Sequence, residues 1–147
     1  MIAVHVNESE RAVVAEFFEL FKTPWEFFHD GCRAEVVICS HAEIPETDAR
    51  LVLIYSGKPI AFDVEKGIQS LAQNSPTRLA CGSDSLPIYG CCVGFGPIAG
   101  AALKIESSGQ PAMVKCAANG RMVVRIGYDL FQEIRHLLST GQPAGSG

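Results

Sequence analysis

The first half of the chain alternates short apolar runs with polar stretches. Residues 2–6 form a β-branched run, and residues 34–39 and 51–55 contain continuous apolar runs typical of strands buried on both faces of a sheet. Between the first two runs, apolar residues recur at helical spacing from position 13 to position 21, and residues 7–10 predict a capping box before this helix. The order strand, helix, strand, strand predicts helices packed on a largely parallel sheet.

The end of the chain has the clearest pattern. Residues 112–117 and 121–126 are strand-like runs, and the Asn119-Gly120 pair between them is a strong signal for a β-hairpin. Asp129 is a candidate N-cap, and apolar residues at helical period over 130–138 predict an amphipathic helix. The sequence therefore predicts a C-terminal hairpin followed by a helix.

The middle of the chain is harder to place. Residues 64–73 predict a short helix, residues 78–81 predict a strand, and residues 82–109 are too rich in Gly and Pro to assign. Residues 1–140 are interpreted as a single α/β domain, and the polar, glycine-rich residues 141–147 as a linker or tail.

Composition narrows the class of function. The chain of 147 residues is long enough for one packed domain, and its net charge of −4 without basic runs argues against nucleic-acid or anionic-membrane partners. The first residues run directly into a polar segment, so no signal peptide is expected. The longest uncharged stretch, residues 85–103, contains prolines and glycines that disfavour a membrane-spanning helix, so a cytoplasmic protein is predicted. Six cysteines without a C-x-x-C pair are expected to be mostly reduced structural thiols.

One segment suggests a nucleophile. Residues 90–94 have the form G-x-C-x-G, the spacing of a nucleophile elbow, with Cys92 as the candidate catalytic residue. Such a thiol needs a histidine and an acid, and the only later histidine, His136, lies on the polar side of the final helix beside Gln132 and Glu133. Glycine-rich packing is the alternative, and no complete catalytic set is predicted.

Other candidate sites are incomplete. Residues 94–100 are similar to a dinucleotide fingerprint, but no acidic residue follows at the spacing that a ribose contact needs, so no cofactor is expected. The histidines at positions 5, 29 and 41 lack the spacing of a metal site, so no metal is expected. The aromatic residues Trp25, Phe27 and Phe28 form either a sugar-stacking platform or an apolar cluster beside the first helix.

Three stretches carry a family resemblance. They are FFELFKTPWE at 17–26, SLPIYG at 85–90, and VRIGYDLFQEI at 124–134 with GQP at 141–143. Together they resemble the N-terminal region of bacterial polysaccharide deacetylase family proteins, in which a Rossmann-like domain of the glutamine-amidotransferase type precedes the deacetylase domain. The resemblance implies a three-layer Rossmann-like or flavodoxin-like α/β fold. The paired-aspartate motif and histidine metal site of the deacetylase domain are missing from this sequence.

The resemblance therefore implies an accessory domain without catalysis of its own, in a protein of bacterial carbohydrate metabolism. Its expected partners are a metal-dependent deacetylase domain or another protein, with a glycan and a second copy of the chain as further candidates. Two alternatives remain: a small amidase or amidotransferase-like enzyme that uses Cys92, and a plain protein-interaction module.

Overall fold

The computed structural model describes residues 1–20, 24–40, 43–73, 77–96, 102–118 and 120–140. These residues form one large sheet, two small sheets and three α-helices. The large sheet contains β1 (Ile2–His5), β2 (Trp25–Phe27), β3 (Val36–Cys39), β4 (Leu51–Tyr55), β10 (Met113–Ala118) and β11 (Arg121–Ile126). The small sheets contain β5 (Ser70–Ala72) with β8 (Val93–Phe95), and β6 (Thr77–Cys81) with β7 (Asp84–Ile88) and β9 (Lys104–Ile105). The helices are α1 (Arg11–Glu19), α2 (Ala61–Glu65) and α3 (Leu130–Thr140).

The large sheet has the strand order β10-β11-β4-β3-β1-β2. All neighbouring pairs are parallel except β10 and β11, which are antiparallel and pair from Met113 with Ile126 to Ala118 with Arg121. Gly120 has a φ of +74°, a conformation that favours glycine, and this permits the tight connection between the two strands. The carboxyl ends of the five parallel strands therefore lie at one edge of the sheet.

One face of the large sheet is covered by α1 and α3. Val4 and Ile38 of the sheet pack with Val14 and Phe18 of α1 and with Phe131 of α3 in one buried cluster. These residues alternate in their strands with residues of the other face, as the pleat of a strand requires. The apolar stripe of each helix is therefore buried on this face.

The opposite face has a different cover. Ala3, Val37, Val52 and Ile54 pack there with Phe62 of α2, a helix of only five residues. Strand β8 packs on the same face near β10, where Val93 and Phe95 contact Val114. Loops and short strands therefore cover much of this face.

The predicted three-layer Rossmann-like fold is wrong. Such a fold needs helices on both faces of the sheet, whereas among the described residues α2 is the only helix on the second face. The physical reason lies in the unassigned middle of the chain. That segment has no long run with helical period, and in the described residues it forms two small antiparallel sheets instead.

Three local predictions also differ from the structure. Asn7 makes no side-chain cap bond, and residues 8–10 form a 3-10 turn before α1. The helix predicted over 64–73 is wrong, because α2 ends at Glu65 and Gly67 adopts a φ of +67° before β5 begins. Residues 25–27, treated as an aromatic patch, form edge strand β2. No helix in the described part of the chain is long and apolar enough to cross a membrane.

Candidate functional site

The strand order creates a crevice at the carboxyl edge of the large sheet. Strand β1 has β2 on one side and β3 on the other. The strand order therefore reverses at β1, since the chain first adds a strand on one side of β1 and then crosses over to add the next on the other side. Helix α1, which connects β1 to β2, packs on one face, whereas Phe28, Cys32 and Ala34 of the next connection pack on the other face. In open α/β sheets, ligands bind at such a switch point, outside the carboxyl ends of the strands.

A cleft of about 500 Å³ opens at this switch point. Its walls come from the end of β1, from the segment after β2 and from the segment after β3. We call it the switch-point cleft, and it is lined by His5, Phe28, His29, Asp30, Glu43, Ile44, Pro45 and Glu46.

Backbone hydrogen bonds hold the walls of the switch-point cleft in place. The Phe28 amide donates to the carbonyl of Val4 at 2.8 Å, and the Ser40 amide donates to the carbonyl of His5 at 2.9 Å. The rings of His5 and Phe28 meet edge to face, with centroids 5.4 Å apart. The aromatic face and the imidazole are therefore carried by strand ends rather than by loop tips.

The switch-point cleft is rich in hydrogen-bond acceptors. Asp30, Glu43 and Glu46 contribute carboxylates and are all exposed. His29 lies 3.5 Å from the Glu26 carboxylate, measured from Nε2 to Oε1, and this contact becomes an ion pair when the imidazole is protonated. Carboxylates accept hydrogen bonds from hydroxyl groups, and an aromatic ring offers an apolar face, so this lining suits a polyhydroxyl ligand.

The described residues offer no metal centre. No group of three or more His, Cys, Asp or Glu side chains among them is arranged to hold a metal ion. His41, considered above as a histidine without metal-site spacing, lies outside the described residues.

A second polar cluster lies at the same edge, beyond β3. The Ser40 hydroxyl donates to Asp129 Oδ1 at 2.8 Å, and the same oxygen accepts from the Gln132 amide at 3.2 Å, so the predicted N-cap of α3 is confirmed. The rings of Tyr55 and Tyr128 lie nearby with centroids 5.6 Å apart. Burial raises the pKa of Tyr55, while burial, followed by the charges of Tyr55 and Glu133, raises the pKa of Tyr128 to about 12.

Glu133 ties α3 to the small sheets. Its carboxylate is buried and accepts hydrogen bonds from the amides of Tyr89 and Gly90, both at 2.7 Å. The sequence predicts Glu133 on the polar side of the final helix, but the turn after β7 covers this residue and buries it. Next to it, His136 stacks on the ring of Tyr89 at a centroid distance of 4.6 Å.

The structure does not support Cys92 as a nucleophile. Its side chain is only 1% exposed, and its thiol faces the carbonyl of Val93 at 3.8 Å. Burial, and secondly the charge of Glu133, raises the pKa of this thiol to about 11, so the reactive thiolate is scarce at neutral pH. The elbow geometry is also wrong, because Cys92 bridges Tyr128 and leads into β8 rather than into a turn before a helix.

The described part of the dinucleotide-like segment and two of the three aromatic residues considered as a sugar platform pack within the fold. Gly94 lies in β8, where an added Cβ would come within 2.7 Å of Gln110 and Ile105 side-chain atoms, and residues 97–100 of the dinucleotide-like segment lie outside the described residues. Trp25 stacks on Phe18 at 5.0 Å and meets Phe27 edge to face at 4.9 Å. Of the three aromatic residues considered together, Phe28 lines the switch-point cleft.

A buried ion pair that the sequence patterns did not predict joins β11 to α2. Arg125 is fully buried on β11, and its Nε donates to Asp63 Oδ1 at 2.8 Å. Its other donors bind Asp63 Oδ2 and the carbonyls of Ser56, Lys58 and Ile126, while its guanidinium lies over the ring of Phe95. A charge inside the apolar run 123–126 was the available signal, because a buried charge needs a partner.

Comparison with known proteins gives a likeness of fold. No family model matches the chain, and no curated protein matches it. The solved exo-β-1,4-mannosidase from Opitutaceae bacterium strain TAV5 is similar with a TM-score of 0.69 at 10% identity, over 96% of this chain and 33% of that chain. A catalytic mutant of a GH42 β-galactosidase from G. stearothermophilus is similar with a TM-score of 0.63 at 9% identity, over 94% of this chain and 29% of that chain.

A third similar structure is the β-galactosidase from the psychrophilic Marinomonas ef1, with a TM-score of 0.58 at 9% identity, over 94% of this chain and 28% of that chain. This chain therefore spans about a third or less of the length of these enzymes. At such identities, the likeness shows a shared fold.

These findings correct the family and the function expected from the sequence. The resemblance to polysaccharide deacetylase proteins and to the glutamine-amidotransferase type of domain is wrong, because the similar structures are glycoside hydrolases. The expected role as an accessory domain of a deacetylase depended on this resemblance and is therefore also wrong. The Cys92 hydrolase is not supported, because the thiol is buried. The plain protein-interaction module stays a prediction.

Proposed function

We propose that this chain is a saccharide-binding domain that binds its ligand in the switch-point cleft and does not itself cleave glycosidic bonds. The observation that carries the proposal is the cleft, where exposed carboxylates and the aromatic ring of Phe28 line one cavity at the carboxyl edge of the parallel strands. The fold likeness to an exo-β-1,4-mannosidase and to β-galactosidases supports a saccharide as the class of ligand.

The state of the carboxylates supports binding rather than hydrolysis. Glycoside hydrolysis uses a pair of carboxyl groups, one of which is kept protonated by burial so that it can act as a general acid. The carboxylates of the switch-point cleft are exposed, whereas the buried ones, Asp63 and Glu133, are held by Arg125 and by two backbone amides. The chain would therefore present a saccharide to a catalytic unit elsewhere in a larger protein or in a partner.

A cytoplasmic location belongs to the same proposal. All six cysteines are free thiols, which supports a reducing compartment.

Titration of the isotope-labelled chain with β-1,4-linked mannobiose tests the proposal. We expect saturable NMR shifts at His5, Phe28 and His29 at concentrations up to about 20 mM, and no release of mannose. Asp30→Asn and Glu46→Gln should each weaken binding about five- to tenfold, since each removes a charged acceptor.

The matched control is Asp48→Asn, which neutralises an exposed carboxylate outside the switch-point cleft and should leave binding unchanged. The same titration with a β-galactoside shows which of the two saccharide types is preferred. The proposal fails if neither saccharide shifts the cleft resonances, or if Asp48→Asn weakens binding as much as Asp30→Asn. Mannose release that is abolished by Asp30→Asn would overturn the non-hydrolytic part.

A further inference from the structure

We propose that a second cavity, on the sheet face that carries α2, binds a small organic anion with an apolar body, such as a medium-chain carboxylate. This cavity has a volume of about 280 Å³, and we call it the α2-face cavity. It is lined by Ile44, Pro45, Thr47, Val52, Ile54, Phe62, Lys66, Arg121 and Val123. This inference does not depend on saccharide binding in the switch-point cleft.

The floor of the α2-face cavity is apolar because the sheet itself forms it. Val52 and Val123 are register partners in β4 and β11, so their side chains lie side by side on the same face. Ile54 extends this surface, and Phe62 of α2 forms a wall. The cavity exists because α2 ends after five residues and leaves the neighbouring sheet surface without a helix.

The charged groups at the α2-face cavity are both cationic. Lys66 follows α2 and Arg121 begins β11, and the lining includes no carboxylate. Among the described residues, neither side chain forms an ion pair. Two cations beside an apolar floor complement a ligand with one anionic end and one apolar end.

The contrast with the switch-point cleft supports this assignment. Ile44 and Pro45 line both cavities, so one short segment separates them. On one side of this segment the lining carries three carboxylates, and on the other side it carries an ammonium and a guanidinium group. In a chain with a net charge of −4, a local pair of cations over an apolar floor selects against cationic ligands.

The size of the α2-face cavity limits the ligand. If each small group occupies roughly the volume of a water molecule in the liquid, about 30 Å³, the cavity holds about nine or ten non-hydrogen atoms. Octanoate, which meets this limit, serves as the probe. Octanamide tests the need for the charge, octylammonium tests its sign, and inorganic phosphate tests the need for the apolar body.

We expect octanoate to bind saturably below about 1 mM and to shift the methyl resonances of Val52, Ile54 and Val123. Octanamide should bind at least about tenfold more weakly, and octylammonium and phosphate should not saturate. Lys66→Gln and Arg121→Gln should each weaken octanoate binding about fivefold or more, whereas Lys115→Gln, an exposed cation on β10 outside the cavity, should not change it.

Several results would overturn the inference. Equal binding of octanoate and octanamide would show that the cations do not select the ligand, and equal binding of phosphate would reduce the site to an unspecific cationic patch. Failure of every probe to bind, together with a dimeric mass in solution, would indicate that a second copy covers this face. Asp30→Asn separates the two proposals, since it should weaken mannobiose binding and leave octanoate binding unchanged.

Discussion

The buried pair of Arg125 and Asp63 makes a quantitative prediction about stability. Asp63→Asn keeps the shape of the side chain but removes its negative charge, so the fully buried guanidinium loses its counterion. An uncompensated buried charge costs about 3–5 kcal/mol, and a typical domain has only about 5–15 kcal/mol of total stability. We therefore expect this single change to remove about a fifth or more of the free energy of unfolding.

The hydrogen bonds of the guanidinium determine how the loss of stability in Arg125→Met compares with that in Asp63→Asn. Arg125→Met leaves a buried carboxylate and also removes a donor from the carbonyl of Ser56. The Ile126 carbonyl still accepts a hydrogen bond from the Ser56 amide, and the Lys58 carbonyl still accepts one from the Ser56 hydroxyl. The loss at Ser56 adds about 1–3 kcal/mol, so Arg125→Met should be at least as damaging as Asp63→Asn.

Urea unfolding followed by the fluorescence of Trp25, the only tryptophan, measures these effects. The double variant Asp63→Leu with Arg125→Met should cost less than the sum of the single changes, because no unpaired charge remains. Asp48→Asn, at an exposed carboxylate, serves as the control and should change stability by no more than about 0.5 kcal/mol. A cost below about 1 kcal/mol for Asp63→Asn, or strict additivity in the double variant, would refute the reasoning.

Three further predictions follow from other contacts. Glu133→Gln should cost about 1–3 kcal/mol in urea unfolding, since one of the two bound amides loses its acceptor, and an unchanged midpoint would contradict this. Gly127→Ala should cost about 1–3 kcal/mol, because its new Cβ would come within 2.3 Å of the Val93 carbonyl, whereas Gly96→Ala meets only a flexible side chain and should cost less. Burial raises the pKa of the Cys92 thiol to about 11, above its ordinary value of 9.0. The contribution of this thiol to stability is therefore complete below pH 9 and is lost as the pH rises towards 11. Cys92→Ala should therefore flatten the decline of stability over this range in urea unfolding, and an identical decline would exclude this thiol as its source.

The switch-point cleft shows why the sequence analysis did not assemble the site. The acidic, histidine and aromatic residues of the lining are isolated in the sequence, and no regular spacing joins them. Residues from three segments meet there because β1 lies between β2 and β3. Strand order depends on long-range pairing, which local periodicity does not specify. Phe28 was grouped with Trp25 and Phe27, although it follows β2 and turns to the other face of the sheet.

By itself, the sequence determined the elements with strong local signals. The apolar runs became β1, β3 and β4, the helical stripe over 130–138 became most of α3, and the short connection before Arg121 joined an antiparallel pair. These elements form where periodicity and turn chemistry act over a few residues. Tertiary structure decided which face of the sheet lacks a long helix, which acids are buried, and where the cavities open. These depend on contacts such as Arg125 with Asp63, 62 positions apart in the chain, where burial and pairing outweigh local preference.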